Sequence, residues 1–377
     1  MNFDYSEDQL AIADVANRIF KDLCGDEAIR QLFKTDQPLH RELWQQLATS
    51  GLLAAPLPAE QGGSGMGLTE FCIVVEAQGR SVAPVPLIET VVECALPISR
   101  FGSDALCSRL LPGVISGELM LAAVRPYSGL LQRKPLKATA GADGSWRLDG
   151  DSSLTLYAPV AHGFLVEAET DSGVMVGFVD AQAKGVSVVA QRSGGGELAG
   201  LVRFSGVMLA ASDVLASGSA ANDVLEWQRQ RTFAAMAAQQ VGILREGLRR
   251  AAEYTNERKQ FGRSLSSFQA VAQQAADAYM AIEALRSVYW RAVDDIDNRG
   301  DATEAARVAK FWLCESGHTA AHIYLHIHGG IGQDLDYPLH RFFTWAKKNE
   351  VYLGGAQHHA AALGRQLRDR YVAAATR

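Results

Sequence analysis

The sequence predicts a multidomain α+β protein, in which an N-terminal helical domain, a middle antiparallel β domain and a C-terminal four-helix bundle follow one another along the chain. Three observations carry this prediction. Helical periodicity dominates from Phe3 to about Leu119, a period of two replaces it between about Met120 and Leu215, and the helical period returns after Asn222. The corresponding domains are 1–119, 120–221 and 222–377. At 377 residues the chain is long enough for several packed layers and can bury a bulky cofactor.

In the first segment Ser6 can cap a helix while Gln9 reaches back to it, and the helix is expected to run to Leu23. A second helix is expected over Arg41 to Ser50. The proline and glycines of 51-GLLAAPLPAEQGGSGMG-67 then break helical structure, which resumes from Leu68 to Arg80. In the second segment Trp146/Leu148, Leu154/Leu156, Phe164/Val166, Val174/Val176/Phe178, Val186/Val188 and Val202/Phe204 each alternate, with Gly or Asp between the runs. Strands this closely spaced form an antiparallel sheet or barrel, because a parallel sheet needs helical crossovers and none is readable here. In the third segment Ala275, Tyr279, Ile282, Leu285 and Tyr289 mark one apolar stripe, and Val308, Phe311 and Trp312 part of another. Gly262, the 298-NRGD-301 stretch and 329-GGIG-332 divide it into about four helices joined by short loops.

With 48% hydrophobic and 21% charged residues the chain reads as globular throughout. A net charge of −6 gives no footprint for a polyanion, and the arginines of 244-LREGLRR-250 read as a solvated helix face, so nucleic acid is not an expected partner. The acidic start MNFDYSEDQ lacks the regions of a signal peptide and no apolar run is long enough to span a bilayer. A cytoplasmic protein without membrane insertion is expected. Cys24, Cys72, Cys94, Cys107 and Cys314 are scattered without a CxxC pair and read as reduced thiols in cores.

Several residues could carry chemistry. Arg258 offers a planar fork of donors suited to a pyrophosphate, Gln269 an amide with donor and acceptor, and Gly329-Gly330 a backbone that a phosphate can approach closely. The plainer reading pairs Arg258 with Glu257 or Glu253 and lets the glycines end a helix. His318, His322 and His326 share a helix face but lack an evident carboxylate or thiolate partner, so no metal site is expected. The run 194-GGGELAG-200 lacks the GxGxxG spacing and reads as a loop between strands. Asp294, Asp297 and Asp301 read as a solvated turn, with Asp301 near a helix start, and Tyr289-Trp290 as bundle core.

Three segments resemble the acyl-CoA dehydrogenase family: 59-AEQGGSGMGLTEFCIVVEAQGRSVAP-84, 257-ERKQFGRSLSSFQAV-271 and 326-HIHGGIG-332. With the order of the domains, the resemblance covers essentially the whole chain. It implies an FAD cofactor contacted by Arg258, Phe261, Gln269, His326, Gly329 and Gly330. It also implies an acyl-CoA substrate oxidised to a trans-2-enoyl-CoA, and an electron-transfer flavoprotein or similar acceptor. His326 stands where the family commonly has glutamine on the adenine side of FAD.

The chain departs from the family where the catalytic base is expected. The Tyr-Glu-Gly-Thr-like segment reads Tyr352-Leu353-Gly354-Gly355, and leucine accepts no proton. The alternative base position on the first bundle helix falls near Thr232, and the nearest carboxylate, Glu350, reads as a solvated helix-end glutamate. The family's flavin-ring loop is replaced by 124-VRPYSGLL-131, and its Trp-Ile-Thr by Thr155-Leu156-Tyr157. Motifs that reach a neighbour's flavin are kept, whereas those that hold the chain's own flavin ring are altered. The run from His328 to Ala356 looks like the base-lacking subunits of heterotetrameric steroid side-chain enzymes. A homologous Glu-bearing subunit and a bulky acyl group are thereby implied. A homo-oligomer with its base moved to Glu350, and a non-catalytic scaffold on the same fold, stay open as alternatives.

Overall fold

A computed structural model describes residues 5–126 and 136–375. Phe3 and residues 127–131 of the 124–131 segment therefore lie outside the described residues. The chain divides into two compact units. One comprises Met1–Gln31, Cys72–Ala83 and Phe233–Arg377, and the other Leu32–Phe71 and Pro84–Thr232.

The helical start forms as its residues dictate. Helix α1 (Glu7–Leu23) opens with Ser6 accepting from Gln9 N and Gln9 accepting from Ser6 N, a complete capping box. It is followed by α2 (Asp26–Phe33), α3 (Arg41–Thr49) and α4 (Leu68–Ser81). A nine-residue π-helix (Leu87–Ala95), buried at every position, comes next, then α5 (Leu96–Phe101) and α6 (Asp104–Ile115). The sequence showed this stretch only as helical, because a wider helical turn leaves the same apolar run.

Eight strands form one sheet: β1 (Leu121–Val124), β2 (Lys137–Ala140), β3 (Trp146–Leu156), β4 (Gly163–Thr170), β5 (Gly173–Asp180), β6 (Val186–Arg192), β7 (Leu198–Leu209) and β8 (Val214–Ser217). Their order is β6-β7-β3-β2-β4-β5-β8, with β1 beside β4. Pairing is antiparallel except that β4 runs parallel to β1 and meets β2 in parallel. Trp146/Leu148 and Leu154/Leu156 belong to one strand, and Leu154 is exposed rather than inward-facing. A register shift between Asp151 and Leu154 against β7 interrupts the alternation there, and Thr155 and Leu156 are both buried. Phe164, Val166, Val202 and Phe204 fill the sheet's core.

Five helices follow: α7 (Ser219–Glu257), α8 (Gln269–Asn298), α9 (Thr303–His328), α10 (Leu339–Val351) and α11 (Ala356–Ala375). The sequence count of about four missed that α10 and α11 are separate, because the break falls at Leu353-Gly354, which both take positive φ. Within their unit, α4 and α7 cross at backbone contact. A Cβ on Gly79 would lie 2.2 Å from Gln239 O, and one on Gly242 2.1 Å from Glu76 O.

Two expected stripes shift. On α8 Ile282, Leu285 and Tyr289 are buried but Tyr279 is exposed. On α9 the buried face is Ala306, Ala309, Lys310, Leu313 and Cys314, whereas Trp312 lies outside it. Residues 244–250 are not a purely solvated face either. Arg250 pairs bidentately with Asp26 at 2.7 and 3.0 Å, and Arg245 pairs with Glu76 and Glu283. All five cysteines are buried, and desolvation pushes the Cys24 thiol up to about 12. Among the described residues no helix is long and apolar enough to cross a membrane.

Candidate functional site

Arg258 follows the last residue of α7 and is exposed. Its backbone is fixed by Arg258 N donating to Tyr254 O at 2.8 Å and Leu265 N donating to Arg258 O at 2.9 Å. The plainer reading of a local ion pair is not realised. Glu253 accepts from Arg249, and the Arg258 guanidinium meets no carboxylate among the described residues. A hairpin of β9 (Lys259–Gln260) and β10 (Arg263–Ser264) then turns at Phe261 (φ 54) and Gly262 (φ 80). Two positive φ values suit the right-handed twist of a tight hairpin and lift Phe261 to its tip, 91% exposed. Gln269 opens α8 and is exposed.

At the far end of α9 the helix stops at His328, and Gly329 adopts φ 65, ψ −146, a region closed to residues with a Cβ. No atom lies within 4 Å of where a Cβ would stand on Gly329 or Gly330, so the backbone faces open space. Tyr254, whose carbonyl holds Arg258 N, stacks on His328 with ring centroids 4.6 Å apart, which brings the start of the hairpin and the Gly-Gly turn to one end of this unit. An open cleft of about 490 Å³ beside the turn is lined by Gln274, His322, Ile323, Leu325, His326, Gly329 and Gln333. Arg258, Phe261, Gln269 and Gly330 are not among its lining residues.

These groups fit the anionic half of a dinucleotide. An unpaired guanidinium, a glycine pair with no Cβ to exclude a phosphate, and a cleft free of carboxylates supply donors and space without opposing charge. His318, His322 and His326 of α9 do not assemble a metal site among the described residues. His318 and His322 are 4.3 Å apart by ring centroids, and no group of three His, Cys, Asp or Glu suited to a metal occurs among the described residues.

The positions where a base was sought are occupied otherwise. Leu353 is half-buried and left-handed (φ 60), with its carbonyl accepting from His359 Nε2 at 3.1 Å. Beneath it Lys310, fully buried, donates to Asn349 O at 2.7 Å and to Glu350 O at 3.5 Å, closing the C-terminal end of α10. Desolvation pulls the Lys310 ammonium down to about 8. Glu350 is not a solvated glutamate. Its side chain is only 19% exposed and is held by Lys347 and by His318 at 3.4 Å. Thr232, in the other unit, is fully buried, and its hydroxyl has no partner among the described residues.

That other unit also carries the two altered segments. Arg125 pairs at 2.9 Å with Glu93, which stands on the π-helix and is 1% exposed. Thr155 is buried and donates to Ser153 O at 3.3 Å, and Tyr157 is buried in the left-handed region at φ 56, where desolvation raises its phenol. Sequence reasoning missed Glu93 and Lys310. Two glutamates, Glu89 and Glu93, in the largely apolar run between Pro86 and Pro97, and a lysine inside an apolar helical stripe, were the available signals.

Comparison with known proteins agrees with this arrangement of elements. Residues 6–118 match the family model described as acyl-CoA dehydrogenase, N-terminal domain, and residues 219–368 the one described as acyl-CoA dehydrogenase, C-terminal domain. Acyl-CoA dehydrogenase FadE27 of Mycobacterium tuberculosis is 36% identical over 97% of this chain and 99% of its own length. Acyl-CoA dehydrogenase FadE28 of the same organism is 32% identical over 97% and 98%. Among solved structures, the ChsE4-ChsE5 complex from Mycobacterium tuberculosis gives a TM-score of 0.91 at 36% identity, covering 98% of this chain and 99% of the compared one. A variant of the Tcur3481-Tcur3483 steroid ACAD gives 0.90 at 35%, covering 97% and 99%.

Proposed function

The chain belongs to the acyl-CoA dehydrogenase family, and we propose that within it the chain is a subunit without a catalytic base that completes an FAD site in a hetero-oligomer. The observation that carries this is the pairing of a kept phosphate-facing set with a base position filled by Leu353. Arg258, Gln269, Gly329 and Gly330 would hold the pyrophosphate and adenine side of the cofactor, with Phe261 at the hairpin tip and His326 in the cleft as further contacts. FAD, when bound, supplies the acceptor for the hydride leaving the substrate's β-carbon. A carboxylate of a homologous partner takes the α-proton, so that an acyl-CoA becomes a trans-2-enoyl-CoA, with electrons passing on to an electron-transfer flavoprotein or similar acceptor.

The engagement of Glu350 weighs against a relocated base, since its carboxylate oxygens are already taken up by Lys347 and His318. The unpaired Arg258 weighs against a scaffold that has lost its cofactor, because a scaffold has no need of an exposed fork beside an open Gly-Gly turn. A bulky steroid-type acyl group is the proposed substrate class. It is supported by the relative solved as a steroid ACAD and by the complex of two different chains that resembles this one.

The test is to purify the chain alone and together with a Glu-bearing homologue. Alone it carries little flavin and no turnover; together, both appear, and Arg258→Ala in this chain strips flavin from the assembly. Leu353→Glu in the lone chain does not restore turnover, because the ring-side segments are altered as well. A flavin-loaded homomer that dehydrogenates acyl-CoA unaided would overturn the proposal.

A further inference from the structure

The cleft beside the Gly-Gly turn has one unusual property, which is that its only ionisable lining groups are two imidazoles on successive turns of α9. The other lining residues, Gln274 from α8, Ile323, Leu325, Gly329 and Gln333, are neutral. The cleft's charge is therefore set by His322 and His326, and imidazoles are the side chains that change charge near neutral pH.

Local hydrogen bonding fixes which nitrogen of His322 is available. Its Nδ1 lies 2.7 Å from His318 O, and a carbonyl only accepts, so Nδ1 carries the hydrogen. Nε2 is left as the ring nitrogen not engaged by that carbonyl. Around it, the His318 ring lies tilted at 4.3 Å from the preceding turn and Phe343 of α10 stands edge-on at 5.1 Å. Behind His318, Lys347 and Glu350 of α10 lie at 3.1 and 3.4 Å and cancel each other in charge. The His326 ring makes no hydrogen bond among the described residues and the residue is exposed at the cleft. His328 takes no part, being buried with its rings' neighbours Tyr254 and Tyr337 at 4.6 and 5.5 Å.

We infer that His322 joins His326 as the anion-facing wall of this cleft, so that proton uptake by the pair strengthens binding of a dinucleotide's pyrophosphate; this rests on the interface FAD site proposed above. The pyrophosphate of FAD has no proton to exchange near neutral pH, so a pH dependence of FAD binding there belongs to the protein. By linkage the ligand raises the proton affinity of the imidazoles as much as their protonation raises the ligand's affinity.

The experiment measures the Kd of FAD by fluorescence for the co-expressed assembly, stripped of flavin, at about pH 6 and about pH 8. Binding about five- to tenfold tighter at the lower pH is expected, within the limit of tenfold per pH unit for each proton taken up. His322→Gln with His326→Gln flattens that dependence, and His322→Lys, with a fixed charge, also removes most of it by tightening binding at the higher pH. An unchanged Kd across the two pH values in the wild type overturns the inference, as does a dependence that survives in the double variant. Failure of FAD to bind at either pH, in any variant, refutes the interface flavin site itself.

Discussion

His359 offers a measurable consequence of how the turn at Leu353 is held. Its ring is 1% exposed, stands edge-on to Phe233 at 5.1 Å, donates Nε2–H to Leu353 O and leaves Nδ1 without a partner. Burial, with Lys310 adding positive charge nearby, pulls its pKa from 6.5 down to about 4. The folded value is depressed, so as pH falls the unfolded chain takes up this proton first. The residue's contribution to stability is complete above the unfolded value and is lost as pH falls through the folded one. Integrated over the whole window the loss is about 3 kcal/mol, and between about pH 7 and about pH 5 roughly 2 kcal/mol of it appears. His359→Gln keeps an amide donor for Leu353 O and removes the titration. Urea unfolding at the two pH values should show the wild type losing roughly 2 kcal/mol more than the variant, since all other titrating groups are common to both. An equal loss in the two proteins would refute the assignment of a buried, neutral imidazole at this position.

The remaining predictions concern packing and capping. Gly242→Ala gains about 1 kcal/mol of helix propensity, but its Cβ would meet Glu76 O at 2.1 Å, and overpacking of about 1–3 kcal/mol or more decides the sign; thermal unfolding should show net destabilisation, whereas Gly364→Ala on α11, with nothing within 4 Å, should stabilise. Arg125→Leu leaves Glu93 buried without its cation and should cost about 3–5 kcal/mol in denaturant unfolding, most of it recovered when Glu93→Leu is added. Ser6→Ala removes the capping box and should cost about 1 kcal/mol, read as faster amide exchange in the first turn of α1.

What the sequence revealed depended on whether a feature is local. The capping box at Ser6 and Gln9 was legible because both partners lie three residues apart and act on one another. Leu154 was misread because a bulge is a property of two paired strands, and nothing at residues 151–154 alone announces it. Trp312 was placed in a stripe by helical periodicity, yet the face α9 buries there is Ala306, Ala309, Lys310, Leu313 and Cys314. A lysine is expected at the surface, and only the carbonyls at the end of α10, distant in sequence, explain its burial.

The candidate site divides along the same line. Arg258, Gln269 and the Gly-Gly turn were singled out as an ordered set, since each alone has a plainer reading. Leu353 could be recognised as the wrong residue for a base, but not as part of a turn fixed wholly through backbone. His359 holds its carbonyl, and Lys310 and Cys314 hold the carbonyls just before it, Cys314 Sγ donating to Glu350 O at 3.2 Å. None of these bonds uses the Leu353 side chain. Glu350 shows the converse. It is one helical turn away and chemically able, yet its carboxylate is committed to Lys347 and His318, and freeing it would break the pairing that covers the end of α10.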